Sequence, residues 1–553
     1  MTTPSAHPPP ARRYQHLLMM ACLALLSLGL SWHWMRSLSA EDPWYRNTDM
    51  NIHTIADALC LNSGFAPGVV AHPAAPSRYL LALDFRLRNE FGLLPVWTLK
   101  RFARSAEPLR ELTRLVHVGR EHSRLLVIAF MLVAAAFVRS VTGRFDLACL
   151  AIVAFGGSAG LLFHGLLLRP ELLCAGFGLI ALHLAWLAMA TPRPASRALW
   201  LLLAGVAAGL ALLSKLPGLL CLGFAGVWCL LAPLLPKLPG REDPARRSAP
   251  GWGAALCLAA GLAVLTLLLL PVSGRALLDP AGAARLRPAV LFVTLAPLLH
   301  FLGAQRPVPR FLVDRAHDLA LLVAGMLVAL TGWFALLRLV MAPDQAADYM
   351  AKILNTVCYP DTWMEIYTHP GAAHRLQELW RFILDAPLLF ALGAAFTLGL
   401  AFMSRIPARW RALQLLLLAQ ALTFALVMGS REFLEQYSVF TQTPLLLIWP
   451  VGVAALTSLA SLPADAPGND WPAALAGTAA LFLSLTVVLS LGPKYRSFQD
   501  DATLPVRDLT ITFLYDHDMH PPAYLKAMKQ RYPTRVDFRA ALDHHLADPA
   551  NRR

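Results

Sequence analysis

Charged residues are scarce in this sequence. Asp, Glu, Lys and Arg make up 15% of the 553 residues, whereas soluble domains contain about 25%, and 57% of the chain is hydrophobic. A large soluble core does not explain the shortage, because the surface around such a core must still be covered by polar groups. The composition therefore excludes an ordinary soluble globular protein.

Acidic residues are the scarcer kind of charge. The chain has 34 Asp and Glu against 48 Lys and Arg, which gives a net charge of +14. The basic residues are spread along the chain, and many lie in short segments between apolar blocks. This spacing is typical of the positive-inside rule of membrane proteins and excludes a nucleic-acid-binding surface as the reason for the charge.

Metal motifs and internal repeats are also lacking. The eight cysteines form no CxxC pair and no Cys/His spacing of a metal site. His517, Asp518 and His520 resemble a metal-ligand set by residue type, but a solvated loop is the better explanation for them. No repetition of two halves is evident, although transporters commonly have one.

Apolar residues come in thirteen blocks, each approaching the roughly 20 residues that cross a bilayer as a helix. They predict an all-α integral membrane protein with about 13 transmembrane helices. The blocks are 17–34, 124–138, 146–167, 171–190, 198–213, 216–235, 253–273, 287–303, 318–341, 381–403, 411–429, 438–461 and 472–492. At 214–217 two explanations stay open, a tight turn between two helices or a kink within one long helix.

The arginines at the start of the chain predict its orientation. Arg12 and Arg13 precede the first block, so residues 1–16 are expected to form a cytoplasmic tail. The first block is expected to be an uncleaved helix rather than a signal peptide, because its apolar run is long and many more blocks follow. Thirteen crossings within 17–492 then place the C-terminus on the outer side. The Ala-, Leu- and Arg-rich composition suggests a bacterial inner membrane, with that outer side facing the periplasm.

Three polar pieces fall on this outer side: two long loops, about 35–123 and 342–380, and a C-terminal segment, 493–553. Within the first loop, 107–123 alternates apolar residues and arginines at helical spacing. We expect a helix lying along the membrane interface there, rather than one packed on its own loop. Cys60 and Cys358 both lie in outer loops, where they could form a disulfide or, as the slightly favoured alternative, stay free.

The most informative stretch begins just after the first block. Asp49, in Asn47-Thr48-Asp49-Met50, precedes a short helical pattern, a glycine turn at Gly64, the pair His72-Pro73 and a new apolar stretch. This order resembles the first external loop of the GT-C glycosyltransferases, membrane enzymes that use lipid-phosphate-linked sugars. They include the protein O-mannosyltransferases and the aminoarabinose transferases of lipid A. Asp49 stands at the acidic position of that loop, and Met50 departs from the Glu that many members have next.

The resemblance extends more weakly to three later stretches. Arg169-Pro170-Glu171 opens the fourth block, Lys215-Leu216-Pro217 matches a Lys-x-Pro motif, and Arg431-Glu432 with Tyr437 matches a late Arg…Tyr motif. About 490 residues fit the GT-C architecture of membrane helices with outer-face juxtamembrane helices, and 47–81 is the most specific part.

The resemblance implies that the chain transfers a sugar, with inversion, from a polyprenyl-phosphate donor to an acceptor on the outer face. The acceptor hydroxyl must lose its proton to a base, and Asp49 is the predicted base, although it could instead cap the following helix. Glu171 lies one residue inside an apolar block, where a carboxylate is costly. It is predicted to assist Asp49 or to bind a metal, or equally to be a first-turn acid favoured by the helix dipole.

Binding the departing phosphate requires cations or a metal. The candidates for binding substrate are His72, Arg78, Arg169, Lys215, Arg431 and Tyr437. Each has a simpler explanation as well: a turn for His72, interfacial side chains for the cations, and an aromatic belt for Tyr437. No metal or other cofactor is firmly implied. The expected partners are the lipid-linked sugar donor, membrane lipid and an acceptor that the sequence does not identify.

Two other classes of function compete with this hypothesis. One is a transporter or flippase of a lipid-linked substrate without chemistry, and the other is a structural membrane subunit that presents its C-terminal segment to a partner. A structure in which Asp49 and Glu171 face one cavity would favour the enzyme over both of these alternatives.

Overall fold

The computed structural model describes residues 10–41, 44–45, 48–68, 74–234, 310–358, 377, 380, 387–428, 437–460, 511–517, 520–548 and 551. Every regular element within these ranges is a helix. The α-helices of the first half are α1 (Pro10–Glu41), α2 (Thr48–Leu61), α3 (Ala75–Glu90), α4 (Leu99–Arg104), α5 (Pro108–Thr142), α6 (Phe145–Gly156), α7 (Ala159–Leu162), α8 (Pro170–Ala190), α9 (Pro194–Ser214) and α10 (Gly218–Leu231). Those of the second half are α11 (Arg310–Val340), α12 (Pro343–Cys358), α13 (Pro387–Phe402), α14 (Ala408–Met428), α15 (Ser438–Ala460), α16 (Pro522–Arg531) and α17 (Arg535–Ala547).

Within the described ranges, seven helices are long and apolar enough to cross a membrane: α1, α5, α8, α9, α11, α14 and α15. Helices α6, α10 and α13 are apolar but shorter. These elements agree with the prediction of an all-α membrane protein. Three predicted blocks, 253–273, 287–303 and 472–492, lie outside the described residues, so the number of spans stays a prediction.

A tight turn, rather than a kink, separates α9 from α10. The N–H of Gly218 donates to the carbonyl of Lys215 at 2.9 Å, and the N–H of Leu219 donates to that of Leu216 at 3.0 Å. A Cβ at Gly218 would lie 2.3 Å from the backbone of Ala211, so only glycine fits where the chain folds back. The turn leaves Lys215 in an extended conformation directly after α9.

The helix predicted at 107–123 exists, but the interfacial location expected for it is wrong. It is the first half of α5, which continues without a break into the following span. Its apolar face, including Leu109, Leu112, Leu115 and Val116, is buried within the protein. The helix therefore uses that face for packing rather than for lipid contact.

The second long loop is joined to the first by an arginine and not by a disulfide at Cys60. Cys60 is a buried free thiol, which agrees with the slightly favoured alternative, while the side chain of Cys358 lies outside the described residues. Arg78 of α3 donates to the hydroxyl of Tyr349 in α12 at 2.7 Å. This contact fixes α12 against the helices of the first loop.

Candidate active site

Three of the predicted site residues, far apart in the sequence, meet in one buried cluster. The ammonium group of Lys215 forms an ion pair with the carboxylate of Glu171. The same ammonium lies 4.6 Å from the ring centre of Tyr437 and 3.4 Å from its hydroxyl. Glu171 is fully buried, and Lys215 and Tyr437 are each 4% exposed. The burial of Tyr437 is not that of a lipid-facing aromatic belt.

Each residue of this cluster stands at the end of a long helix. Glu171 is in the first turn of α8, where Pro170 starts the helix and an acid is favoured by the helix dipole. Lys215 follows the last residue of α9, and Tyr437 directly precedes α15. Because three helix ends meet here, the two charges lie at the end of the helical bundle rather than in its middle.

A polar contact holds the start of α15 in place. The side-chain oxygen Oε1 of Gln442 accepts hydrogen bonds from Ser158 Oγ at 2.7 Å and from the N–H of Gly160 at 3.0 Å. A Cβ at Gly160 would lie 2.3 Å from Ser438 Oγ, so glycine permits this close approach. The contact fixes the position of Tyr437, the residue before Ser438.

Basic side chains surround Glu171. Lys215, Arg169 and His164 are all close enough for their charges to act on its carboxylate. Arg169 is half-buried and His164 is fully buried. A buried carboxylate with several basic neighbours leaves a surplus of positive potential, which suits an anionic ligand such as a phosphate.

The helix that carries Asp49 lies beside this cluster. Asp49 is in the first turn of α2, which begins at Thr48, and its side chain is outside what the structure describes. Two residues along, Asn51 Oδ1 accepts a hydrogen bond from the N–H of Leu168 at 2.7 Å. Leu168 is three residues before Glu171, so the start of α2 is attached to the segment that leads into the site.

The stretch after His72-Pro73 reaches the site from another direction. His72 itself lies outside the described residues. The N–H of Ala74 donates to the carbonyl of Ser214 at 3.1 Å, next to Lys215. Ala74 has a positive φ of 38°, a left-handed conformation that costs a non-glycine residue about 1 kcal/mol or more. Such strain is typical of functional loops.

Arg78 has structural partners. Its Nε lies 2.7 Å from Asp57 Oδ2, its guanidinium also reaches Tyr349, and it is 2% exposed. The N–H of Gly68 donates to the other oxygen of Asp57 at 2.7 Å. We therefore assign Arg78 to the connection between α2, α3 and α12. Arg431, another candidate for phosphate, lies outside the described residues.

We expect Arg78→Met to destabilise the protein more at about pH 8 than at about pH 5. Burial raises the pKa of Asp57 to about 6, although Arg78 and the N–H of Gly68 act in the opposite direction. Without Arg78 the ionised carboxylate loses its counter-charge, and protonation below that pKa removes the cost. Thermal midpoints of both proteins in detergent at the two pH values measure the difference.

Arg110→Met is the control for that experiment. Arg110 pairs with Glu107, and the two side chains are 72% and 63% exposed, so its loss is expected to change little at either pH. An equal loss of stability for Arg78→Met at both pH values would contradict the assignment of a buried, ionisable Asp57.

No protein-family model and no curated protein matches the chain. Two crystal structures of the oligosaccharyltransferase of Archaeoglobus fulgidus are similar in part. For the apo form the TM-score is 0.41 and the identity 15%, over 91% of this chain and 59% of that chain. For the complex with Zn and sulfate the TM-score is 0.37 and the identity 14%, over 85% of this chain and 53% of that chain. The likeness is weak, and the function proposed for the chain rests on its own residues.

Sequence reasoning missed the polar residues that hold α2 in place. Asn51, His53 and Asp57 are all at most 1% exposed. Their spacing offered a signal, because His53 and Asp57 follow Asp49 by one and two helical turns on one face of α2. Among the described residues, no group of three or more His, Cys, Asp and Glu side chains could hold a metal ion.

Proposed function

We propose that this chain is a membrane glycosyltransferase that moves a sugar from a polyprenyl-phosphate donor to an acceptor on the outer face of the membrane. The observation that supports the proposal is the buried cluster of Glu171, Lys215 and Tyr437 at one end of the helical bundle. The GT-C resemblance had selected these residues from three separate stretches of sequence. Buried charges at the edge of apolar spans are costly and usually functional.

In the proposed reaction the acceptor hydroxyl oxygen attacks the anomeric carbon of the donor sugar. The bond between that carbon and the phosphate oxygen breaks, and polyprenyl phosphate leaves with both electrons of the bond. Asp49 takes the proton of the hydroxyl, as a general base. Lys215 stabilises the negative charge on the departing phosphate, with Tyr437 as a further hydrogen-bond donor.

Glu171 fixes the ammonium of Lys215 before the donor arrives. A lone buried ammonium is costly, whereas one paired with a carboxylate has its charge compensated. The incoming phosphate competes with Glu171 for the same ammonium group, so the ion pair is the resting state of the site.

Donor binding tests this proposal without requiring an identified acceptor. We expect a photoactivatable polyprenyl-phosphate sugar, with its reactive group next to the phosphate, to label peptides that contain Lys215 or Tyr437. Excess polyprenyl phosphate should compete, and a neutral polyprenol should not. Labelling confined to other peptides would contradict the proposed site. Translocation of the donor across proteoliposomes without release of polyprenyl phosphate would favour a flippase instead.

The proposed topology puts the site and the C-terminus in the periplasm of a bacterial inner membrane. Trp44 Nε1 donates to the carbonyl of Asn551 at 2.9 Å, so the end of the chain lies beside the start of the first long loop. We expect alkaline phosphatase fused to the C-terminus to be active, because that enzyme needs the oxidising periplasm. An active cytoplasmic reporter at the same fusion point would mean that a span has been miscounted.

A further inference from the structure

The C-terminal segment, residues 511–548, is packed against the helix that carries Asp49. His53 of α2 contacts His520, with their Nδ1 atoms 3.1 Å apart, and the ring of His517 lies 4.9 Å from that of His53. His53 and His520 are 1% and 2% exposed. Two imidazoles are thus buried against each other where the segment meets α2.

Other contacts extend the same interface. Tyr524 is fully buried and stacks on Phe102 of α4 with ring centres 6.0 Å apart. Its backbone N–H acts on the thiol of Cys60 in α2 and opposes the rise in pKa that burial causes there. Thr113 of α5 contacts His545 at 3.2 Å. The segment therefore contacts α2, α4 and α5 together.

The contact between the two histidines is directional. One Nδ1 must carry the hydrogen and the other must accept it, so each ring fixes the tautomer and the orientation of the other. His53 stands one helical turn after Asp49 on the same face of α2. Any shift of His53 along or around the helix axis would move the first turn of α2 with it.

We propose that the C-terminal segment is part of the transferase site, and that His520 is a positioning residue that holds α2 in register through His53 Nδ1. This proposal rests on the proposed function. It assigns a role in the site to a segment far from α2 in the sequence, since His53 and His520 are 467 positions apart.

The test compares two amide substitutions at position 520. The amide of Asn reaches the place of Nδ1 in a histidine, whereas the amide of Gln reaches the place of Nε2. His520→Asn can therefore keep the hydrogen bond to His53, and His520→Gln cannot. His544→Ala is the control, because His544 is exposed in the last turn of α17.

Two readouts are taken from the same membranes: transfer from a labelled polyprenyl-phosphate sugar, and maleimide labelling of Cys60 resolved by peptide mass spectrometry. Cys60 is fully buried and burial raises the pKa of its thiol, so it should resist labelling while the segment is docked. We expect His520→Gln to raise the labelling rate about tenfold and to lower transfer in parallel, as expected for a lost buried hydrogen bond. His520→Asn and His544→Ala should match the unmodified protein.

The proposal is overturned if Cys60 stays protected in His520→Gln, or if His520→Asn behaves like His520→Gln. It is also overturned if Cys60 becomes labelled while transfer is unchanged, because the segment would then have come away from α2 without affecting the site. Absence of transfer in the unmodified protein would contradict the proposed function, and with it the role of His520 in the transferase site. The labelling of Cys60 would then still report whether His520 holds the segment.

Discussion

Asp49→Asn is expected to lower the rate of sugar transfer by at least about a hundredfold, the low end for loss of a general base. The amide has nearly the shape of the carboxylate but cannot accept the proton of the acceptor hydroxyl. Expression, membrane insertion and labelling by the photoactivatable donor should be unchanged, because the substitution removes a proton acceptor and not a phosphate contact. The rate is measured as release of polyprenyl phosphate from a labelled donor.

Asp348→Asn is the matched control for this variant. Asp348 is an exposed acid of α12 that pairs with Lys352, and its side chain is 60% exposed. We expect transfer by this control to be normal, since an exposed pair contributes little. Near-normal transfer by Asp49→Asn would remove Asp49 as the base.

Lys215→Met is expected to lower the free energy of unfolding by about 3–5 kcal/mol, because it leaves the carboxylate of Glu171 buried without its principal counter-charge. The double variant Glu171→Gln, Lys215→Met should recover most of this loss, since a buried ion pair can be replaced by uncharged residues of similar size at little cost. The thermal midpoint in detergent measures both effects.

The same pair of variants separates stability from function. Although it is folded, the double variant should still fail to transfer sugar and to bind the photoactivatable donor, because the ammonium group that meets the phosphate is gone. If the double variant were both stable and active, the ion pair would have only a structural role, and the phosphate would have to bind elsewhere.

Within the described residues the sequence predicted an all-α membrane protein correctly, because apolar length and composition determine its helices, while the count of about 13 spans stays a prediction. It also selected Glu171, Lys215 and Tyr437, through motifs at the ends of apolar blocks. It could not predict that the three meet, because Tyr437 lies 222 residues from the lysine that it contacts and no local pattern encodes such a distance. The same limit applies to His53 and His520.

The error at 107–123 has a different origin. A helix with an apolar face and a basic face has the same sequence pattern whether its apolar face meets lipid or protein. The partners that bury the face of α5 include α2, α3 and the C-terminal segment, and only the assembled fold brings them together. The turn at 214–217 was undecided for a related reason, since the close approach at Gly218 is a feature of packing and not of composition.

The most direct measurement is transfer by purified protein in liposomes that contain a labelled polyprenyl-phosphate sugar and a membrane extract as the source of acceptor. The prediction is that label moves from the donor to an acceptor, that polyprenyl phosphate appears in equal amount, and that the folded Glu171→Gln, Lys215→Met variant does neither. Donor that stays intact with the unmodified protein across a panel of sugars, or equal transfer by the double variant, would contradict a glycosyltransferase site at Glu171, Lys215 and Tyr437.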